Sequence, residues 1–294
     1  MATGQRCCCG AIRQLVAHRR GVAWRGNCGY SAAPHPRRQA STRMDQHAWL
    51  LAAVPVTGFA AGFINTLAGS GSLLTLPILI LLGLPANVAN GTNRVGVVMQ
   101  NIVAVATFRQ RGALPLAGSW KLIVPSVAGA VLGAGLAVDL DEALLRRAIG
   151  VLMIVLIVVM LLKPERFIAE HLAPREPRLY VEVPLFIVIG IYGGFIQVSV
   201  GLFLIAGLVL GAGYNLVAAN ALKNLIVLVF TAAALAVFII NDQVQWTLGL
   251  LLGSGQAVGA WVAAHFAVKR GAEFVRWAVV VITIGAALAL FVGF

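Results

Sequence analysis

Charged residues are scarce in this sequence of 294 residues, of which 11% are charged and 60% are hydrophobic. A soluble domain would carry about a quarter charged residues. Apolar runs of about 18 or more residues recur from Leu50 to Phe294, and each is long enough to cross a bilayer. A soluble protein with a large core would need polar helix faces, which these runs lack. The sequence therefore predicts a polytopic, all-α membrane protein.

Cysteine is absent from the apolar part, because all four cysteines lie near the N-terminus, at Cys7, Cys8, Cys9 and Cys28. Disulfide, thiol and cysteine–metal chemistry are thereby excluded from the membrane part. A Walker A motif is also absent, which argues against an intrinsic ATPase. Neither an H-E-x-x-H motif nor a serine nucleophile elbow occurs. We therefore expect no enzyme activity, no cofactor and no metal site.

Acidic residues are absent from residues 1–43, which hold eight of the 22 Lys and Arg residues. The formal net charge of +12 comes mostly from this segment and does not indicate a nucleic-acid partner. The segment has no apolar run long enough for a signal peptide, although its Arg-rich composition superficially fits an organelle transit peptide. Since Met44 opens MDQHAWLLAAVPVTGF, we expect translation to begin there. Residues 1–43, if made, would form a disordered basic tail.

The apolar part contains two matching halves. The segment GFINTLAGSGSLLTLPILILLGLP (62–85) matches GFIQVSVGLFLIAGLVLGAGYN (194–215). Gly69 and its match Gly201 are 132 residues apart. After a two-residue gap, matching positions are 130 residues apart, as at Phe108 and Phe238. In each half the pattern predicts the same order of elements: a helix, a glycine-broken segment with a short apolar piece, and three long helices. The short pieces are predicted at about 73–84 and 202–213, and the long helices at 86–109, 117–138, 143–163, 215–240, 246–268 and 272–293.

These boundaries define the predicted domains. Transmembrane repeat 1 covers 44–163, a polar linker covers 164–179, and transmembrane repeat 2 covers 180–294. Together they give about eight full spans and two short segments. Arg and Lys residues flank three loops that can be cytoplasmic at the same time, so the two halves begin on opposite sides and form an inverted repeat. Short glycine-interrupted segments at matching positions of two halves are typical of a transporter binding site at the bilayer midplane. The glycine spacings Gly129-x-x-x-Gly133 and Gly255-x-x-x-Gly259 predict close helix packing.

Two cations lie inside predicted helices. Arg94 is eight residues past Ala86, and Lys223 is eight residues past Asn215, which places each about 12 Å along its helix. An unpaired charge at that depth costs at least about 2.5–3.5 kcal/mol. Neither helix contains an acidic residue, so we interpret the missing partner as an anionic substrate. The alternatives are that Arg94 snorkels or that it binds the carbonyls of a broken helix as a structural clamp.

The amides, hydroxyls and glycines near the two cations complete the predicted binding site, since free N–H groups at helix breaks also favour anions. The candidate substrate-binding residues are Arg94, Lys223, Asn93, Asn224, Asn90, Asn220, Asn65, Thr66, Gly69, Ser70, Gly71, Ser72, Gln197, Ser199 and Gly201.

Three motifs carry a resemblance to a known family: GFINTLAGSGSLLTLPIL, ANGTNRVGVVMQN, and the weaker second copy GFIQVSVGLFLIAG with AANALKN. Over about residues 47–294 the chain resembles the TauE/SafE family of sulfite exporters, also called probable membrane transporters. The second copy departs from the first, because GLFL (201–204) replaces GSGS (69–72). The resemblance implies an export permease for sulfite, sulfonates or related organosulfur anions in a bacterial inner membrane.

The sequence thus predicts a multi-pass secondary transporter that exports a small anion by alternating access at a midplane cationic site. Its partners are the anionic substrate and the lipid bilayer. Proton coupling and uniport down the membrane potential both remain open, and the sequence predicts no oligomeric state. The alternative is a non-transporting membrane subunit or assembly factor for sulfur compounds or metals. A metal permease would need clustered acids, His or Met in the broken segments, which contain none.

Overall fold

The structure is a computed structural model that describes residues 53–149, residue 151 and residues 179–292. Within these ranges every regular element is a helix, which confirms an all-helical membrane protein. The predicted tail (1–43), most of the predicted helix 143–163 and nearly all of the predicted linker (164–179) lie outside the described residues.

Nine helices follow one another in the described ranges. They are α1 (Ala53–Ala68), α2 (Ser72–Leu81), α3 (Ala86–Gln110), α4 (Trp120–Asp139), α5 (142–149), α6 (Leu179–Phe195), α7 (Val200–Ala206), α8 (Leu216–Ile240) and α9 (Trp246–Val292). A π-helical turn, Gly207–Gly211, extends α7. Non-helical backbone at Gly271, with φ 71° and ψ −164°, interrupts α9. The predicted boundary between the last two helices, 268 to 272, is at this break.

Three helices are long and apolar enough to span a membrane, counted over the described residues: Trp120–Asp139, Leu216–Ile240 and Trp246–Gly271. Helix α3 is as long as α8, with 25 residues each, but it carries the polar stretch that includes Arg94. Shorter apolar helices lie on both sides of the two breaks, at Ala53–Ala68 and Ser72–Leu81 and at Tyr180–Phe195 and Val200–Gly211. The ends of Ser72–Leu81 and Val200–Gly211 lie within three residues of the ends of the predicted short pieces, 73–84 and 202–213.

The two helices that carry the cations begin at well-defined residues. Helix α3 starts after Pro85, whose extended backbone (φ −56°, ψ 149°) precedes the first helical residue. Helix α8 starts after Asn215, whose side-chain oxygen accepts a hydrogen bond of 2.8 Å from the backbone N–H of Ala218. Such an N-cap satisfies one of the N–H groups that the first turn of a helix leaves unpaired. The depths of Arg94 and Lys223 along their helices follow from these two start points.

The helices that precede the breaks pack closely on the long helices of the other half. A Cβ atom on Gly129 would lie 2.2 Å from the carbonyl oxygen of Ile187 in α6, so only glycine allows the approach of α4. A Cβ atom on Gly255 would likewise lie 2.0 Å from the carbonyl oxygen of Pro55 in α1, which allows the approach of α9. The predicted packing role of the glycine spacings is therefore confirmed. Helices α3 and α8 contact each other. Helix α3 also contacts α9, and α8 also contacts α4, so α3 and α8 lie between the α1–α9 pair and the α4–α6 pair.

Candidate functional site

Both predicted breaks are present, and they contact each other. The sequence predicts the second break at 199–201, but it lies at 196–199, and Val200 and Gly201 already belong to α7. The first break follows α1 at Gly69, which has a φ of 77°. The second follows α6 and is formed by two non-glycine residues in the left-handed region, Gln197 (φ 66°) and Ser199 (φ 55°). A Cβ atom on Gly69 would lie 2.3 Å from the Cα atom of Gly201. The two chain segments therefore cross in backbone contact.

Lys223 lies at the first break. It is 1% exposed, and its Nζ donates hydrogen bonds to the carbonyl oxygens of Asn65 (3.0 Å) and Thr66 (2.8 Å) in the last turn of α1. The neighbouring Asn224 donates from Nδ2 to Thr66 O (3.3 Å) and to Asn220 O (2.8 Å). The last carbonyls of a helix have no partner within the helix and carry its negative dipole end. Lys223 therefore caps α1 from the other half of the chain.

Arg94 makes the corresponding contacts at the second break. It is fully buried, and it donates to the carbonyl oxygens of Gly193 (3.2 Å) and Gly194 in the last turn of α6. Its guanidinium carbon lies 4.7 Å from the ring centroid of Phe238. On the same helix, Asn90 donates from Nδ2 to Phe195 O at 2.8 Å. These are the contacts of the structural-clamp alternative, and each cation thus binds the broken helix of the other half.

Apart from Asn65 and Asn224, the predicted amides and hydroxyls divide into two groups. Asn93 is committed to structure, because Nδ2 donates to Ser72 Oγ (3.2 Å) while Oδ1 accepts from Thr75 Oγ1 (2.7 Å). The second group is buried and has at least one side-chain oxygen or nitrogen without a hydrogen-bond partner among the described residues. It comprises Thr66, Ser70, Asn90, Gln197, Ser199 and Asn220. Gly71 packs on the carbonyl oxygen of Ala61, where a Cβ atom would lie at 2.1 Å.

A narrow cavity opens beside the crossing of the two breaks. Its empty volume is about 230 Å³ including the mouth, and its interior has space for about one water molecule. It brings together six of the predicted residues and adds three others. The lining residues are Asn65, Gly69, Gln197, Gly201, Lys223 and Asn224, together with Asn101, Val200 and Val227. Lys223 is the charged residue of this lining, and Arg94 lies outside it.

Asn101 is the polar cavity residue that the sequence analysis missed. It closes the motif ANGTNRVGVVMQN, seven residues after Arg94. Seven residues are about two helical turns, so Asn101 and Arg94 share one face of α3. This spacing is the signal that could have identified it. The structure also places a buried acid, Glu182, in the first turn of α6 and away from the cavity lining.

Interrupted apolar helices that cross at a buried polar centre are features of membrane transporters. Comparison with known proteins specifies the class further, because residues 54–290 match the family model described as sulfite exporter TauE/SafE. The chain belongs to the TauE/SafE family, and the resemblance found in its motifs is confirmed.

Relatives of the chain are named as transporters. It is 31% identical over 241 residues to "Probable membrane transporter protein ORF9" of Sinorhizobium sp., covering 82% of this chain and 92% of that protein. It is 28% identical over 237 residues to a "Probable membrane transporter protein" of Haemophilus influenzae, covering 80% and 91%. It is 29% identical over 239 residues to "Probable membrane transporter protein YfcA" of Escherichia coli K12, covering 80% and 87%. No solved structure matches the chain significantly.

Proposed function

We propose that this protein is a secondary transporter that exports sulfite or an organosulfonate across a bacterial inner membrane. The observation that carries the proposal is the cavity at the crossing of the two breaks. A buried ammonium group lines this cavity together with several amides. None of the lining residues carries a carboxylate. A cation without a carboxylate partner favours an anionic ligand. The family description supplies the sulfur oxyanion.

Transport proceeds by alternating access between two inverted repeats, each with a broken segment and three long helices. Reciprocal contacts support this arrangement. Lys223 binds α1 and Arg94 binds α6, so each half holds the broken helix of the other. The first helix of each half packs through glycine on a long helix of the other half. Such exchanged contacts are expected when two similar halves are related by a twofold axis in the membrane plane.

The two cations serve the anion in turn. Lys223 faces the cavity in this conformation, together with Asn65, Gln197 and Asn224. Arg94 lies one residue past the matching position in the other half, where its guanidinium carbon is 4.7 Å from the ring centroid of Phe238. Reversal of access opens that half and exposes Arg94 to the anion. The predicted residues of the two breaks shape the half-sites through backbone N–H groups and through the free hydroxyls of Ser70 and Ser199.

The proposal is tested by efflux from proteoliposomes loaded with sulfite, methanesulfonate, thiosulfate or sulfate. The full chain is compared with Lys223→Gln, Arg94→Gln and the control Lys121→Gln. Lys121 is an exposed cation at the start of α4, so its replacement removes the same charge without touching the cavity. Thermal unfolding of each variant in detergent shows whether it is folded.

We expect wild type to export a sulfur oxyanion, Lys121→Gln to match it, and folded Lys223→Gln to lose export. Unchanged export in both Lys223→Gln and Arg94→Gln would mean that the cations are only structural clamps. No efflux of any anion from wild type would refute the transporter proposal and favour a membrane subunit or assembly factor.

A further inference from the structure

We infer that the anion bound at this cavity is monovalent and carries its own proton, as hydrogensulfite does, and that Asn101 accepts the hydrogen bond from that proton. The cavity has space for about one water molecule, so the two breaks must move apart to admit the anion. This inference rests on the proposed function. It follows from the hydrogen bonds that Lys223, Asn224 and Asn101 already make in the cavity lining.

Lys223 and Asn224 have few donors left for a ligand. The ammonium group of Lys223 has three N–H bonds, and two of them are directed at the carbonyl oxygens of Asn65 and Thr66. The Nδ2 group of Asn224 has two N–H bonds, and both are used, by Thr66 O and Asn220 O. One N–H bond of Lys223 is therefore left for an anion.

A free acceptor faces the same space. Asn101 is 1% exposed, and its Nδ2 donates to the carbonyl oxygen of Val97 at 2.7 Å. This bond fixes the orientation of the amide, because only the nitrogen can donate to a carbonyl. Its Oδ1 is buried and has no hydrogen-bond partner among the described residues, and Asn101 lines the cavity. A buried acceptor without a partner is unfavourable, so a bound ligand gains by donating to it.

Gln197 adapts to either kind of ligand. Its Nε2 lies 2.7 Å from Thr231 Oγ1, and its Oε1 is buried without a partner. Since a threonine hydroxyl both donates and accepts, the amide of Gln197 can present its oxygen or its nitrogen to the cavity. Asn101 is therefore the acceptor that distinguishes a protonated anion from an unprotonated one.

Donor and charge counts lead to the same anion. A dianion would meet the one free N–H bond of Lys223, one positive charge, and the side-chain carbonyl oxygen of Asn101, which repels it. A monoanion with an O–H group places a charged oxygen on Lys223 and donates its proton to Asn101. The described elements around the cavity, α1, α3, α7, α8 and the second break, contribute no other charged side chain to its lining. The proton then crosses on the substrate, and no carboxylate in the cavity is needed to carry it.

The first test is the pH dependence of efflux by the wild-type full chain in proteoliposomes. We expect the sulfite rate to follow the monoprotonated fraction as the pH rises, and sulfate to be a poor substrate. Methanesulfonate is a monoanion without an O–H group and should compete more weakly than sulfite. The pH dependence of methanesulfonate efflux reports any titration of Lys223. The ratio of the sulfite rate to the methanesulfonate rate at each pH therefore isolates the effect of the proton on the substrate.

The second test is Asn101→Leu, which removes the acceptor. We expect the KM for sulfite to rise about tenfold, and the inhibition constant of methanesulfonate to stay the same. The matched control is Asn241→Leu, because Asn241 donates to Val237 O four residues earlier at 2.8 Å, as Asn101 does to Val97, but lies at the exposed end of α8. This control should leave both constants unchanged.

Three results would overturn the inference. Sulfate transport equal to that of sulfite would exclude selection for a protonated monoanion. An equal loss of affinity for sulfite and methanesulfonate in Asn101→Leu would make Asn101 a structural residue. If Asn101→Leu does not fold, the wild-type protein still provides a test. A wild-type sulfite rate that does not depend on the monoprotonated fraction would contradict the inference. Absence of all anion transport would instead refute the proposed function itself.

Discussion

Replacing Gly69 with alanine should destabilise the protein more than the same replacement at a glycine with open space around its Cα, such as Gly83. Gly69 has a left-handed φ of 77°, and a Cβ atom there would lie 2.3 Å from the Cα atom of Gly201. The clash is between a new side chain and backbone, so no side-chain rotation relieves it. Separating the two breaks is the remaining response, and that would disturb the helix ends bound by Lys223 and Arg94.

The expected magnitude has two parts. An L-residue in the left-handed region costs about 1–2 kcal/mol, and overpacking of a close contact costs about 1–3 kcal/mol. Gly69→Ala should therefore lower the free energy of unfolding by about 2–5 kcal/mol. Gly83→Ala should cost only the first part, because Gly83 has a φ of 92° and open space around its Cα. Gly201→Ala should cost only the second part, since Gly201 is not in the left-handed region and a Cβ atom there would lie 2.4 Å from Gly69 Cα.

Thermal unfolding of the purified variants in detergent measures this order. At about 2–4 °C per kcal/mol, Gly69→Ala should lower Tm by about 4–20 °C, with smaller shifts for the other two. The double variant Gly69→Ala/Gly201→Ala should lose less than the sum of the single losses, because one displacement accommodates both Cβ atoms. Equal shifts for Gly69→Ala and Gly83→Ala would refute the contact between the two breaks.

Two further changes test the polar contacts around the breaks by the same unfolding measurement. Arg94→Met leaves two buried carbonyls of α6 without their donor, which should cost about 1–3 kcal/mol for each; an unchanged Tm would show that these bonds do not hold the break. Asn93→Leu leaves the hydroxyls of Ser72 and Thr75 without their shared amide, at a cost of about 1–3 kcal/mol, and it should leave the KM for sulfite unchanged if Asn93 only joins α3 to α2.

Much of the helical framework could be predicted because its signals are local. Pro85 and Asn215 mark the start of α3 and α8, and the apolar runs set the helix lengths. The first break could be predicted because glycine at position 69 permits the left-handed backbone it adopts. The second break was predicted from the repeat, but its residues do not show it. Gln197 and Ser199 adopt left-handed backbone without being glycine, and only the surrounding fold imposes that conformation.

Binding of broken-helix carbonyls by Arg94 was one of the alternatives that the sequence left open. Which break each cation reaches could not be predicted, because the partners are backbone atoms distant in sequence. A search for acidic side chains near Arg94 finds none in its helix, yet two carbonyls about 100 residues away accept its hydrogen bonds. A broken helix leaves its last carbonyls unpaired and carries about half a negative charge at that end. The sequence shows that a helix breaks, but it does not show which cation reaches the break.

The observed cap and the proposed ligand role of Lys223 are compatible, and together they suggest how binding would affect the fold. Two N–H bonds of the ammonium group hold the end of α1, and the third remains for the anion. An anion that binds there draws positive charge away from the carbonyls of Asn65 and Thr66, and this weakens the cap of α1. Binding can shift a conformational equilibrium only through such a difference in interaction between states. Because Arg94 holds α6 by equivalent bonds, weakening one cap while the other stays intact favours movement of one half against the other, as alternating access requires.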